Sequence, residues 1–353
     1  VTPNNDVGTS HGLPAQIFPA DNWWNLNISS APLEPGSSTF MEDWMTDGQN
    51  IGWFRFFGDN FGFPIVTIGG GTPQVSSGEV QWVDITQVYY GAESDYSGNS
   101  SAWYKGKFPI PTEAISNPGW SETVGYSLDS LPPLGTDRHF LVFDVDSKYL
   151  YEAYNPFYNN TSQTVQYGGT EDVAPYTWRV GAIAVWDTTT NNYRTNGWTS
   201  TDAAGLQLVP GMARYDEVAS GNPITHAHRC AIRHGRNTVP ASRWPATHYA
   251  GRWSDLYPPT GVRLRLKASY DTSSYSAEAQ RLMQSFKDYG LIIVDYGTST
   301  GGFEVTGTAD VRWGAWDQGL CGELRTIGFT MLKTDWEMIE WGWGAPDGWT
   351  DPP

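Results

Sequence analysis

Glycine and proline recur from one end of this chain to the other, 39 and 23 of them in 353 residues, and no other feature constrains the fold as strongly. Glycine frees the backbone and proline fixes it and removes a donor, so the chain is divided into many short elements joined by turns. Between the breaks, apolar and β-branched runs predict strands at 63–68, 79–84, 138–144, 149–154, 180–186, 192–198, 224–233, 262–270 and 291–296. Val145 to Lys148 and Thr188 to Asn191 read as hairpin turns. One long helix is predicted: Ser276 caps it, Ala279, Leu282, Met283 and Phe286 fall at i, i+3, i+4 and i+7, and Gly290 ends it. Shorter helices are expected at 39–46 and 215–220. The pattern predicts a mostly β fold, a twisted antiparallel β-sandwich or jelly roll with a few short helices, strand residues outnumbering helical ones by at least about two to one. It is read as a single large domain over 1–353, with an N-terminal sub-domain over 1–130 as the alternative division.

The longest wholly aliphatic run is Leu291 to Val294 and the mean hydropathy is -0.44, so no segment approaches the roughly 20 apolar residues that span a bilayer. No membrane partner is expected. The start at Val1 fits a mature chain after leader removal, or a trimmed one. Cys230 and Cys321 are too few for a disulfide scaffold and lack zinc-site spacing. A single disulfide between them is expected, the alternative being two buried thiols. A secreted, extracellular protein is expected from the many aromatic, Asn, Ser, Thr and Gly residues, and a monomer is expected. Sequons at Asn27, Asn99, Asn159 and Asn160 would matter only in a eukaryotic secretory pathway. The net charge of -17 argues against nucleic acid, because phosphate binding is driven by Lys and Arg. The 18 Trp and 19 Tyr suit sugar rings, whose apolar faces stack on aromatic planes. About half of them are assigned to the core, as β proteins use aromatics as cross-strand partners.

Against the acidic background, residues 226–267 hold four of the six histidines and eight of the 21 Lys and Arg with one acid, Asp255. Such an island must be neutralised by distant carboxylates or by something bound. Alternation over 224–232 places His226, His228 and Cys230 on one strand face and Ala227 and Arg229 on the other. His226 and His228, joined by His248, could present imidazoles to a metal. His226 acting as a general acid or base ranks above this, and no metal or cofactor is assigned. Glycan hydrolysis needs an acid and a base or nucleophile flanking the bond, and Asp202, Asp216 and Glu217 lie nearest the histidines in sequence. Asp137 and Glu152 form a reserve pair on the 138–154 hairpin, and Asp202 could equally cap a turn. Arg138, His139 and Arg229, with Trp198 and Trp244, are the candidate substrate-binding residues. Arginines here, Arg243 included, could instead pair internally with the excess carboxylates. No nucleophile elbow, P-loop or dinucleotide fingerprint is present.

Several segments in order, among them Ile17-Phe-Pro-Ala-Asp-Asn-Trp-Trp24, Asp137-Arg-His139, Thr199-Ser-Thr-Asp-Ala-Ala-Gly-Leu206, Arg214-Tyr-Asp-Glu-Val218, Ile224-Thr-His-Ala227 and Pro245-Ala-Thr-His248, carry a resemblance. Along most of its length the chain resembles a largely uncharacterised family of secreted microbial proteins, some attached to carbohydrate-binding modules. The resemblance implies a role on polysaccharides and transfers no catalytic residue. His226 matches the pattern and His228 does not, which weakens the paired-histidine metal reading. The resulting expectation is a secreted glycoside hydrolase acting on a β-glucan such as cellulose, with catalysis by Asp202, Asp216 or Glu217 supported by His226 and His248. The alternatives are a polysaccharide lyase acting on a uronate-containing glycan and a non-catalytic glycan-binding protein.

Overall fold

The computed structural model describes residues 13–43, 62–70, 74–122, 125–233, 242–250, 258–297, 303–315 and 317–352. Among the described residues the fold is mostly β, with 26% strand and 19% helix. Strands therefore lead by less than two to one, because many Gly- and Pro-marked breaks form short 3-10 turns that count as helix. The chain divides into two compact units. Unit one comprises 1–15, 60–192 and 308–310, and unit two comprises 16–59, 193–307 and 311–353. Residue 130 falls inside unit one.

The described strands of unit one are β1 (Ile65–Gly69), β2 (Val75–Ser76), β3 (Val80–Val83), β4 (Gln87–Val88), β5 (Phe108–Pro111), β6 (His139–Asp144), β7 (Tyr149–Tyr154), β8 (Phe157–Tyr158), β9 (Val165–Tyr167), β10 (Glu171–Val173), β11 (Trp178–Val180) and β12 (Ala182–Asp187). A five-stranded sheet runs β12-β7-β6-β1-β2. The predicted hairpin is its centre: β6 and β7 pair antiparallel from His139↔Tyr154 to Asp144↔Tyr149, and Lys148 turns the chain at φ 62. Alternate residues Phe140, Val142, Tyr151, Ala153, Ile183 and Val185 share one core with Phe108 and Ile110 of the β3-β5 ribbon and with Trp178 and Val180. This is sheet-on-sheet packing with period-two alternation.

In unit two, β13 (His228–Arg233), β14 (Arg263–Leu266), β15 (Leu291–Gly297), β16 (Phe303–Val305) and β17 (Trp336–Met338) form a second sheet in the order β16-β13-β15-β14-β17. Both large sheets are mixed. The β1-β2, β1-β6 and β13-β15 pairs are parallel and the other pairs in these two sheets are antiparallel. Helices α1 (Ser37–Asp43), α2 (Tyr215–Ala219), α3 (Ala277–Asp288) and α4 (Gly319–Thr330) belong to this unit. The end of the helix expected over 39–46 lies outside the described residues. Helix α3 forms as the sequence predicts: the Ser276 hydroxyl accepts from the Ala279 amide at 3.2 Å, and Gly290 at φ +75 ends the turn. Its buried stripe of Ala279, Leu282, Met283 and Phe286 packs with Leu264, Leu266, Leu291 and Ile293 of the sheet. On the opposite face Ile292 and Val294 meet Trp23, Trp24, Leu206, Trp244 and Ala246.

Two expectations are corrected. Residues 192–198 form no strand but a turn-containing loop. Cys230 and Cys321 are both buried in the helix-side core of unit two with no disulfide between them, and burial pushes the Cys230 thiol well up. Without reductant, the native protein is expected to resist alkylation at both positions, and denaturation should expose two thiols by mass. A mass two hydrogens lighter with no alkylation after unfolding would restore the disulfide. Finally, two sequon amides are already engaged: buried Asn99 donates to Ala92 and Ser94 carbonyls, and buried Asn159 to those of Gln163, Val173 and Ala174.

Candidate functional site

Ten predicted site residues divide between the units. Arg138 and His139 belong to unit one, and the other eight to unit two.

In unit two, two of the resembling segments are knitted together by the chain itself. The amides of Thr247 and His248 donate to the Ala204 carbonyl at 3.0 and 3.2 Å, and the Gly197 amide donates to the Thr247 carbonyl at 2.8 Å. Gly205 is required here. It sits at φ +70, and a Cβ would lie 2.3 Å from Thr247 Oγ1 and 2.7 Å from the Trp198 carbonyl. Asp202 turns inward from this loop. Its side chain has no exposure and its Oδ2 accepts from Arg229 Nη2 at 2.8 Å and Nε at 3.2 Å, while Oδ1 accepts from the Ala203 amide at 2.9 Å. Arg229 also donates to Thr306 Oγ1. The pair fixes the 199–206 loop to β13, and both members are sealed from solvent. This favours the internal ion-pair reading for Arg229 and the turn-stabilising reading for Asp202.

His248 stands on the outer side of the same loop. Its Nδ1 donates to the Ala203 carbonyl at 2.8 Å, which places a proton on that ring nitrogen. The ring is half-buried, with Tyr249 stacked at 6.0 Å. Trp198 is half-buried beneath the Arg194 guanidinium, 5.6 Å from its centroid. Trp244 is buried and its indole donates to the Tyr193 hydroxyl at 2.8 Å. Arg243 pairs with Asp351 at 3.5 Å and lies 5.1 Å from the Trp341 centroid.

A second constellation surrounds α2. Glu217 accepts from Arg214 at Oε1 and from His226 Nε2 at Oε2, the latter at 3.1 Å. Burial alone would raise this carboxyl, but Arg214 and His226 outweigh it and hold Glu217 down to about 2. The other nitrogen of His226, Nδ1, faces the Ala227 carbonyl at 2.8 Å. Both ring nitrogens thus meet acceptors, an arrangement that the doubly protonated imidazolium satisfies in full. His228 lies beside it, ring centroids 4.8 Å apart. The Ser285 hydroxyl gives its proton to the Leu282 carbonyl, so it accepts from His228 Nε2 at 2.8 Å. Burial then holds His228 well below the usual histidine range and neutral. Asp216, half-buried, accepts from Arg312 Nη1 at 2.7 Å through Oδ1, and Arg312 covers the Tyr215 ring at 4.7 Å. Its Oδ2 makes no hydrogen bond.

The histidines are therefore tied to separate partners rather than to one centre, and among the described residues no three His, Cys, Asp or Glu side chains are arranged to hold a metal. The strand predicted from 224 begins only at His228, so His226 lies outside it; within β13 the alternation holds, with His228 and Cys230 on the α3 side and Ala227, just before the strand, on the opposite side.

In unit one, Arg138 is fully buried and donates to the carbonyls of Ser127 and Ser130, each at 3.0 Å, and of Pro156. Burial lowers it to about 10. It clamps three loops and presents nothing to a ligand. His139 Nδ1 meets Glu122 Oε2 at 2.6 Å, with Phe63 and Tyr154 rings at 5.0 and 5.2 Å. The reserve pair is separated by role: Asp137 accepts from the Tyr154 hydroxyl at 2.7 Å, whereas Glu152 is fully buried and accepts from Trp186 Nε1 at 3.1 Å. Trp82 and Trp103 are exposed beside the Tyr104, Tyr149 and Tyr151 rings.

Sequence reasoning missed Arg214, Thr306, Ser285, Arg312 and Glu122. Arg214 had a local signal, since it stands three residues before Glu217 at the start of a predicted helix. The others are remote in sequence from the groups they serve. Comparison with known protein families, with curated proteins and with solved structures yields no match.

Proposed function

We propose that this chain is a secreted glycoside hydrolase acting on a β-glucan, with Glu217 as the ionised carboxylate, Asp216 as the second carboxylate and His226 as the charged partner that positions Glu217. The observation that supports this reading is the state of Glu217: it is held ionised by Arg214 and His226, yet keeps 14% of its side chain exposed. A nucleophile or base of that kind is what glycoside cleavage requires beside an acid. Asp216 adjoins it on α2, paired with Arg312 through Oδ1 and with a buried Oδ2 that makes no hydrogen bond. No cofactor enters this chemistry.

A second reading, a lyase acting on uronates, draws on His248. With Nδ1 committed to the Ala203 carbonyl, Nε2 is the ring nitrogen left for proton abstraction, a role that the fully engaged Asp202 and His226 do not suit.

Product chemistry separates the two. Against a panel of β-glucans and uronate-containing glycans, the hydrolase reading expects new reducing ends without ultraviolet-absorbing unsaturated ends. Glu217→Gln and Asp216→Asn should then lose about 10²–10⁴-fold in kcat, and His248→Gln should keep most activity. Unsaturated products abolished by His248→Gln would replace this reading with the lyase. Glycan binding without cleavage, lost on replacing Trp82 or Trp103 by alanine, would replace both with a binding protein.

A further inference from the structure

Two arginines project from β14 toward the Trp-rich face of the unit-two sheet, two residues apart, and their surroundings differ. Arg265 has a complete set of acceptors: Glu337 Oε1 at 2.6 Å from Nε, and the carbonyls of Ile28 and Ala31. Arg263, 4% exposed, has the Trp23 carbonyl and, among the described residues, no carboxylate. Its Nε and Nη1 make no hydrogen bond. The Trp244 ring, 5.6 Å from the guanidinium carbon, supplies part of the compensation. Arg138, the comparable buried arginine of unit one, reaches three carbonyls and leaves only its Nε without a hydrogen bond. Burial lowers Arg263 only to about 9, so it is charged at neutral pH.

A second, independent feature lies alongside. The Trp23 indole Nε1 is also buried and without a hydrogen-bond partner. Trp23 is tied to Arg263 through its carbonyl and stacked on Tyr193 at 4.6 Å, and Tyr193 in turn accepts from Trp244. Among the described residues the unmatched side-chain groups of Trp23 and Arg263 are thus all donors. Buried donors and buried charges are normally satisfied. What satisfies this set is an acceptor bearing negative charge and small enough to lie among tryptophans with almost no exposure.

We propose that the Arg263 guanidinium, walled by Trp23, Trp244 and Tyr193, binds a small inorganic monovalent anion of the halide class. The anion is a structural ligand of the unit-two sheet, distinct from the chemistry at Glu217. It accepts from the guanidinium and from the indole of Trp23, and it does for Arg263 what Glu337 does for Arg265.

The test uses bromide on the full chain. At constant ionic strength, replacing gluconate, a much larger organic anion, by bromide should raise the melting temperature in a saturable way. Arg263→Met should remove that response, and Trp23→Phe should shift the bromide midpoint upward. Crystals of the unaltered protein grown in bromide should show an anomalous peak in contact with Arg263, a readout that holds even where a variant fails to fold. A melting temperature indifferent to bromide, an unchanged response in Arg263→Met, or a water without anomalous signal beside the guanidinium would overturn the proposal.

Discussion

Replacing Asp202 by alanine is expected to lower folding stability by about 3–5 kcal/mol, the usual cost of leaving one member of a buried ion pair uncompensated. Its side chain is wholly enclosed and takes two bonds from Arg229, which is itself 94% hidden. The variant keeps the guanidinium and removes its counter-charge. Asp202→Leu combined with Arg229→Met removes both charges and should recover much of the loss, because an apolar pair of similar volume often matches a buried ion pair. Urea unfolding of the two single variants and the double variant measures this coupling. If Asp202→Ala instead unfolds like the parent while activity disappears, Asp202 is a catalytic group and the anchoring role assigned to it is wrong.

That expectation also marks where sequence reasoning reached its limit. Local signals were read well. The Ser276 cap, the stripe through Phe286 and Gly290 define α3, since cap, period and stop are all encoded within fifteen residues. The β6-β7 hairpin is equally local. The 192–198 segment has similar alternation but forms a loop, because its backbone bonds to Thr247 rather than to a neighbouring strand. Strand propensity is decided by a partner, and the partner was 50 residues away. The parallel β13-β15 pairing was hidden for the same reason.

The candidate site divides along that line too. Glu217 and His226 are nine residues apart and were expected together, and they are hydrogen-bonded. Asp202 and Arg229 were both singled out, yet nothing local says that they neutralise each other across 27 residues. The cationic island had two readings, internal pairing or a bound ligand. Arg229, Arg243 and Arg265 take the first, each meeting a carboxylate. Arg263 does not, and only the folded chain reveals the difference.

Glu217 should also set the acid limit of unit two. Its carboxyl is held near 2 in the folded protein against an ordinary value of 4.5, so the folded state binds this proton more weakly than the unfolded chain. The stabilisation is therefore complete above about pH 4.5, declines as pH falls, and is gone once the folded carboxyl is protonated near pH 2. A depression of this size corresponds to about 3 kcal/mol, with Arg214 and His226 as its source. Glu217→Gln keeps the shape but cannot ionise. At pH 7 it should be less stable than the parent by about that amount, and the gap should close between pH 4.5 and 2, as read from urea unfolding at stepped pH. Arg214→Met, which removes the leading attraction, should move the parent's acid transition to higher pH. A gap between parent and Glu217→Gln that stays constant down to pH 2 would mean that hydrogen-bond geometry, not charge, holds this constellation together.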